Sequence, residues 1–174
     1  YIGLGPKPTL VYSDGSKEID KALKELVITH DTSTPYRPQT NGVIERSVRR
    51  VKEGTTCVLV QSGLDPAWWH YAMKYFCLMH NTTVVNKEGL TPWVARHQKD
   101  FKAKKVLLGA LVNYKPSTPK DVDTMHTFEG KTRPGIFVGY AMHAGGRWSG
   151  DYFVIDADQI ANADHLSEVY PRQI

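Results

Sequence analysis

The chain has 174 residues, 41% of them hydrophobic. That is enough for one domain, or one domain plus a small module, and too apolar for a disordered segment. A formal net charge of +4 and a pI near 9.0 point toward a polyanionic partner. With only Cys57 and Cys77, the sequence excludes a disulfide framework and a CxxC zinc pair.

No apolar run approaches the length of a membrane span, so no membrane partner is expected. Cysteine usage suggests a reducing, intracellular setting. The chain opens on "YIGLGPKPTL", not on Met, and is expected to be a piece of a longer protein.

"TLVYSD" (9–14) reads as a short strand ending in Asp14, with Gly15 as a turn residue. "SKEIDKALKEL" carries Ile19, Ala22, Leu23 and Leu26 at helical spacing. "VITHDTS" is a second candidate strand. "TPYRPQTNG" has two prolines, an Asn-Gly pair and no periodicity, and so is a loop.

A long helix is predicted from Gly42 to about Gly63. Its apolar stripe is Ile44, Val48, Val51, Thr55, Val58 and Leu59, with Gly54 as a point of bending or fraying. "DPAWWHYAMKYFCLMHN" starts a further helix with Asp65 as cap and Pro66 at its first position. Its buried face is read as Trp69, Met73, Phe76 and Met79 or His80. Trp68 and Trp69 are read as core before base-stacking platform, with Trp69 on the apolar stripe. Thr91 and Pro92 repeat the cap for a short helix. Beyond about residue 108, "GALVNYKP", "RPGIFVGY" and "GDYFVID" are short strands between Gly- and Pro-rich turns.

The positive charge is concentrated. Residues 36–53 hold Arg37, Arg46, Arg49, Arg50 and Lys52 against Glu45 and Glu53. Residues 95–105 hold Arg96, Lys99, Lys102, Lys104 and Lys105 against Asp100, so the rest of the chain is net negative. On the helix wheel Arg49 and Lys52 lie within about 40° of Glu45. Glu45 can be an early-turn acid bridged to Arg49, or part of a metal site aimed at a polyanion. Asp14 can be a turn residue capping the next helix, or a ligand beyond a strand end. Cys77 and His80 are three apart on a helix, but no second ligand pair has zinc-finger spacing.

Three blocks, "SDGSKE", "HDTSTPYRPQTNGVIERSVRRVKEG" and "DPAWWHYAMKYFCLMHNTT" with "GLTPW", together resemble the second half of a retrovirus-type integrase catalytic core. The copia type of long-terminal-repeat retrotransposon, encoded within a Pol polyprotein, is the nearest in character. "KTRPGIFVGYAMHAGGRWSGDYFVID" resembles the Src-homology-3-like β module that follows that core. The resemblance implies an α/β chain: a partial ribonuclease H-like core over 1–94, a basic linker or helix end over 95–108, and a small all-β, barrel-like module over 109–174.

It also implies an Asp-Asp-Glu site holding two Mg²⁺ or Mn²⁺ ions. Asp14 matches the second acid and Glu45 the third, as catalytic and metal-binding residues. Tyr36, Gln39 and Asn41 match the loop at the DNA end, and Arg46, Arg49 and Lys52 lie in the basic DNA-binding helix. The implied partners are element ends and target DNA, with further copies of the chain, in the nucleus when chromosomal DNA is the target.

Three departures matter. The first acid, which lies upstream in the family, is missing, as are the early strands of the sheet. Asp14 and Glu45 are separated by 30 residues, a few fewer than usual. Gly15 stands where Asn is usual. The expectation is a fragment of a polynucleotidyl transferase that is inactive alone. The alternative is a non-catalytic DNA-binding remnant that uses Arg46, Arg49, Arg50 and the 95–105 lysines. A two-carboxylate glycosidase ranks last, because the arginines suit phosphate better than sugar.

Overall fold

The computed structural model describes residues 8–13, 15–32, 42–116, 128, 130–165 and 168–174. It is a mixed α/β structure. The chain divides into two units, 1–52 and 53–174, and a long helix supplies residues to both.

In the first unit, β1 (Leu10–Ser13), α1 (Lys17–Glu25) and β2 (Thr29–Thr32) form a strand–helix–strand element. The strands pair in parallel, with Leu10 opposite Thr29 and Ser13 opposite Thr32. Parallel neighbours need such a crossover. Helix α1 buries Leu23 alone, while Ile19 and Leu26 stay exposed. It ends in a Schellman motif, with Ile28 N–H donating to Leu23 O and Val27 N–H to Lys24 O. The left-handed position that usually takes glycine is filled by Val27, at φ 54° and 92% exposed.

Helix α2 (Gly42–Ser62) runs unbroken through Gly54. A Cβ at Gly54 would overlap the Phe76 ring, so this glycine permits close helix approach and does not bend α2. The expected apolar stripe divides along its length. Thr55 is buried, and Val58 and Leu59 pack on the core. Ile44 and Val48 remain 44% and 47% exposed.

The second unit continues with a 3₁₀ turn (Pro66–Trp68), α3 (Trp69–Thr83), α4 (Pro92–His97), β3 (Leu111–Tyr114), β4 (Arg133–His143), β5 (Arg147–Asp156), α5 (Ala157–Asn162) and β6 (Arg172–Gln173). The four strands form one antiparallel sheet in sequence order. Ala72, Tyr75 and Leu78 of α3 pack with Phe137 and Tyr140 of β4. A second cluster joins Trp68, Val138, Ile155 and Val169. Register shifts at Phe137/Gly139 and Tyr140/Met142 interrupt the strand's alternation, and residues 137–141 are all buried.

The face read for α3 needs correction. Ala72, Tyr75, Leu78 and Thr82 are buried, and Trp69 is 54% exposed against 8% for Trp68. Apolar and aromatic residues lie on every side of 69–79, so spacing alone does not single out the buried face. Among the described residues no helix is long and apolar enough to cross a membrane.

Candidate nucleic-acid interface

The first unit fixes the strand end that precedes Asp14. Ser13 Oγ and His30 Nε2 are 2.9 Å apart. His30 Nδ1 lies 3.3 Å from Asp20 Oδ1, and Lys24 Nζ donates to Asp20 Oδ2 at 2.7 Å. The His30 side chain is only 7% exposed. The Lys24 hydrogen bond, then that of His30, hold the Asp20 carboxyl below the usual carboxylate range. This chain of contacts ties β1, β2 and α1 together. Sequence reading missed it, because Asp20 and His30 lie on different elements. Asp14, Tyr36, Gln39 and Asn41, named from the sequence, lie outside the described residues.

Glu45 is described. It lies in the first turn of α2, exposed, where the positive end of the helix lowers the cost of a carboxylate. Residues 43–50 are exposed without exception. Arg46 Nε donates to Gly42 O at 3.1 Å, which folds that side chain back along the helix start. Among the described residues, Glu45 and Arg49 do not bridge, and Glu45 has no ion-pair or hydrogen-bond partner. The helix start thus presents one carboxylate between Arg46, Arg49 and Arg50, with Lys52 exposed a turn further on.

A hard divalent cation takes oxygen donors, and the Glu45 carboxylate has that chemistry. Among the described residues no group of three or more His, Cys, Asp or Glu side chains could hold a metal ion.

In the second unit the basic run 95–105 is strapped down. Tyr140 Oη donates to Lys104 O at 2.7 Å and accepts from Val106 N–H at 3.1 Å. Tyr75 Oη donates to Val106 O at 3.0 Å. Ala103 is buried and Phe101 half-buried, which leaves Lys99, Lys102, Lys104 and Lys105 on the surface. Burial raises both tyrosine hydroxyls above their usual range, so both remain donors at neutral pH.

No family model and no curated protein matches the chain. Among solved structures it is similar to a chain in the cryo-EM structure of the simian T-cell lymphotropic virus intasome in complex with PP2A regulatory subunit B56 gamma. That match has 19% identity over 97% of this chain and 55% of that one, at a TM-score of 0.45. It is also similar to the crystallised catalytic core domain of BIV integrase, with 26% identity over 51% of this chain and 59% of that one, at a TM-score of 0.37. The chain therefore spans little more than half the length of each.

Proposed function

We propose that the chain is the later part of a copia-type retrotransposon integrase, a polynucleotidyl transferase that joins element DNA ends into target DNA. On this reading 1–94 belong to a ribonuclease H-like core, 95–108 are its basic connection, and 109–174 are the Src-homology-3-like module. The observation that carries it is the start of α2. An exposed Glu45 carboxylate, unpartnered among the described residues, stands among exposed arginines inside the "NGVIER" motif. Isolated acids in basic helices commonly pair with a neighbour four residues on, and this one does not.

Glu45 and Asp14 would hold Mg²⁺ or Mn²⁺, and two such ions when bound supply an activated water or 3′-hydroxyl and a stabilised leaving oxygen. Arg46, Arg49 and Lys52 would grip phosphates and set register without reading sequence. Tyr36, Gln39 and Asn41 would lie along the DNA end. With one acid of the triad outside this chain, the fragment alone is inactive, and the intact protein works as a multimer, in the nucleus when it acts on chromosomal DNA. The test is strand joining by the chain extended at its N-terminal end, with Mg²⁺ or Mn²⁺. Joining should be lost in Glu45→Gln, and joining retained in that variant would overturn the role of Glu45.

The exposure of residues 43–50 and of the 95–105 lysines also favours a second reading, a DNA-binding remnant without catalysis. It requires metal-independent binding that weakens as salt rises. Affinity that does not change with salt would exclude it.

A further inference from the structure

An aromatic cleft of about 570 Å³ opens in the second unit between α4, the strap that follows it and the start of β5. Its volume falls in the range of small-molecule sites. Trp93, Phe101 and Trp148 supply the apolar surface. The Trp93 and Phe101 rings meet edge-on at 4.9 Å, and Phe101 and Trp148 are 5.5 Å apart. All three are only half-buried, so part of each ring stays available.

The walls are held in place. Trp148 Nε1 donates to Asp151 O at 2.8 Å, which fixes that indole. Arg96 reaches Gly145 O at 3.4 Å and ties α4 to the β4–β5 turn. The αL residue Gln98, at φ 54°, ends α4 and turns the chain into the strap. Cations line the cleft: Lys99, Lys102 and Arg147 are exposed, against the single acid Asp100. The imidazole of His97, which lines the cleft, is held below its usual range by burial first and then by the charges of Arg96 and Arg147.

We propose that this cleft binds an unpaired nucleotide of single-stranded nucleic acid, its base against Trp93 or Trp148 and its phosphate on Lys99, Lys102 and Arg147. A π-face beside phosphate-binding cations is what single-stranded nucleic acid requires, and a paired base cannot present its face. The main competitor for an aromatic pocket is a methylated ammonium group, which aromatic cages hold through cation–π attraction. Here three cations against one acid repel such a ligand. The inference does not depend on Glu45 or on metal, and fails or stands separately from the function proposed above.

The test uses the whole 174-residue chain. Its affinity for fluorescein-labelled oligothymidylate is compared with that for a duplex of equal length and with that for a trimethyl-lysine peptide. Trp93→Ala should weaken oligothymidylate binding by about tenfold and leave duplex binding within about twofold. Trp93→Phe should recover most of the loss. The paired substitutions Lys99→Glu and Lys102→Glu, on exposed side chains, should also weaken oligothymidylate binding. Oligothymidylate should quench indole emission in the parent chain, which needs no variant to fold. Equal losses for both nucleic acids, no quenching, or preference for the trimethyl-lysine peptide would each overturn the proposal.

Discussion

The Tyr114 hydroxyl donates to Asp156 Oδ2 at 2.7 Å, joining the end of β3 to the end of β5 inside the core. Asp156 is 4% exposed, and its other oxygen accepts from Asp158 N–H at 3.0 Å to cap α5. A buried carboxylate needs such partners. Tyr114→Phe is expected to lower the unfolding free energy by about 2 kcal/mol, measured by urea denaturation. The same bond predicts an alkaline signature. Burial first, then Asp156, push the Tyr114 hydroxyl up to about 12, from about 10 in the unfolded chain. The folded state thus keeps a proton that the unfolded state has released. The contribution is full below about pH 10 and is lost as pH rises toward about 12. The parent's melting temperature should fall more steeply across that window than that of Tyr114→Phe. Parallel curves would contradict the assignment.

Val27 is a β-branched residue in the left-handed region at the end of α1. That conformation costs roughly 1–2 kcal/mol for a residue with a Cβ, and glycine is the usual occupant. Val27→Gly should therefore stabilise the first unit by about 1 kcal/mol. Slower hydrogen exchange at the α1 amides is the readout, and faster exchange would count against the motif.

His30 bridges Ser13 and Asp20. His30→Ala should speed exchange in β1 and β2, by a factor set by about 1 kcal/mol of lost hydrogen bonding, while α3 is unchanged. Asp20 adds an acid dependence. Its carboxyl lies below the usual 3.8, so its contribution is present above that pH and is lost as pH falls through the lowered value. Asp20→Asn should lack that part of the acid transition. Identical acid limbs in parent and variant would rule it out.

The start of α2 makes an electrostatic prediction. Arg49→Glu together with Arg50→Glu should weaken duplex DNA binding at low salt by about tenfold or more, and flatten the dependence of affinity on salt by about one unit of slope per lost phosphate contact. Glu45→Gln removes a negative charge and should strengthen metal-free binding slightly. Fluorescence anisotropy across a salt series measures both. An unchanged slope in the double variant would place the DNA elsewhere.

Local chemistry in this chain was legible in its sequence. Asp65 and Thr91 cap where they were expected to, Asp65 Oδ1 accepting from Ala67 N–H at 2.8 Å and Thr91 Oγ1 from Val94 N–H at 3.2 Å. Capping depends on residues two or three apart, so a short stretch contains the signal. The strands around Val11, Val112, Phe137 and Val154 were legible for a similar reason. The buried face of α3 was not, because apolar and aromatic residues surround that helix and tertiary packing chooses among them. Helix α5 and strand β6 are too short to show a period. Glu45 and its arginines could be named from a single motif. The bond from Arg96 to Gly145 spans 49 residues, and Trp148 reaches the cleft from a strand far along the chain. Only the fold brings those groups together.

Tyr75 and Tyr140 grip the backbone of the lysine strap from within the hydrophobic core. The surface charge of this face is therefore spaced by packing, as teeth are spaced by a jaw. An anion meeting these lysines finds their backbone already ordered, and pays only for the side chains. Tyr140→Phe, silent in charge, would remove two of these three bonds, loosen that backbone and so weaken anion binding from beneath the surface.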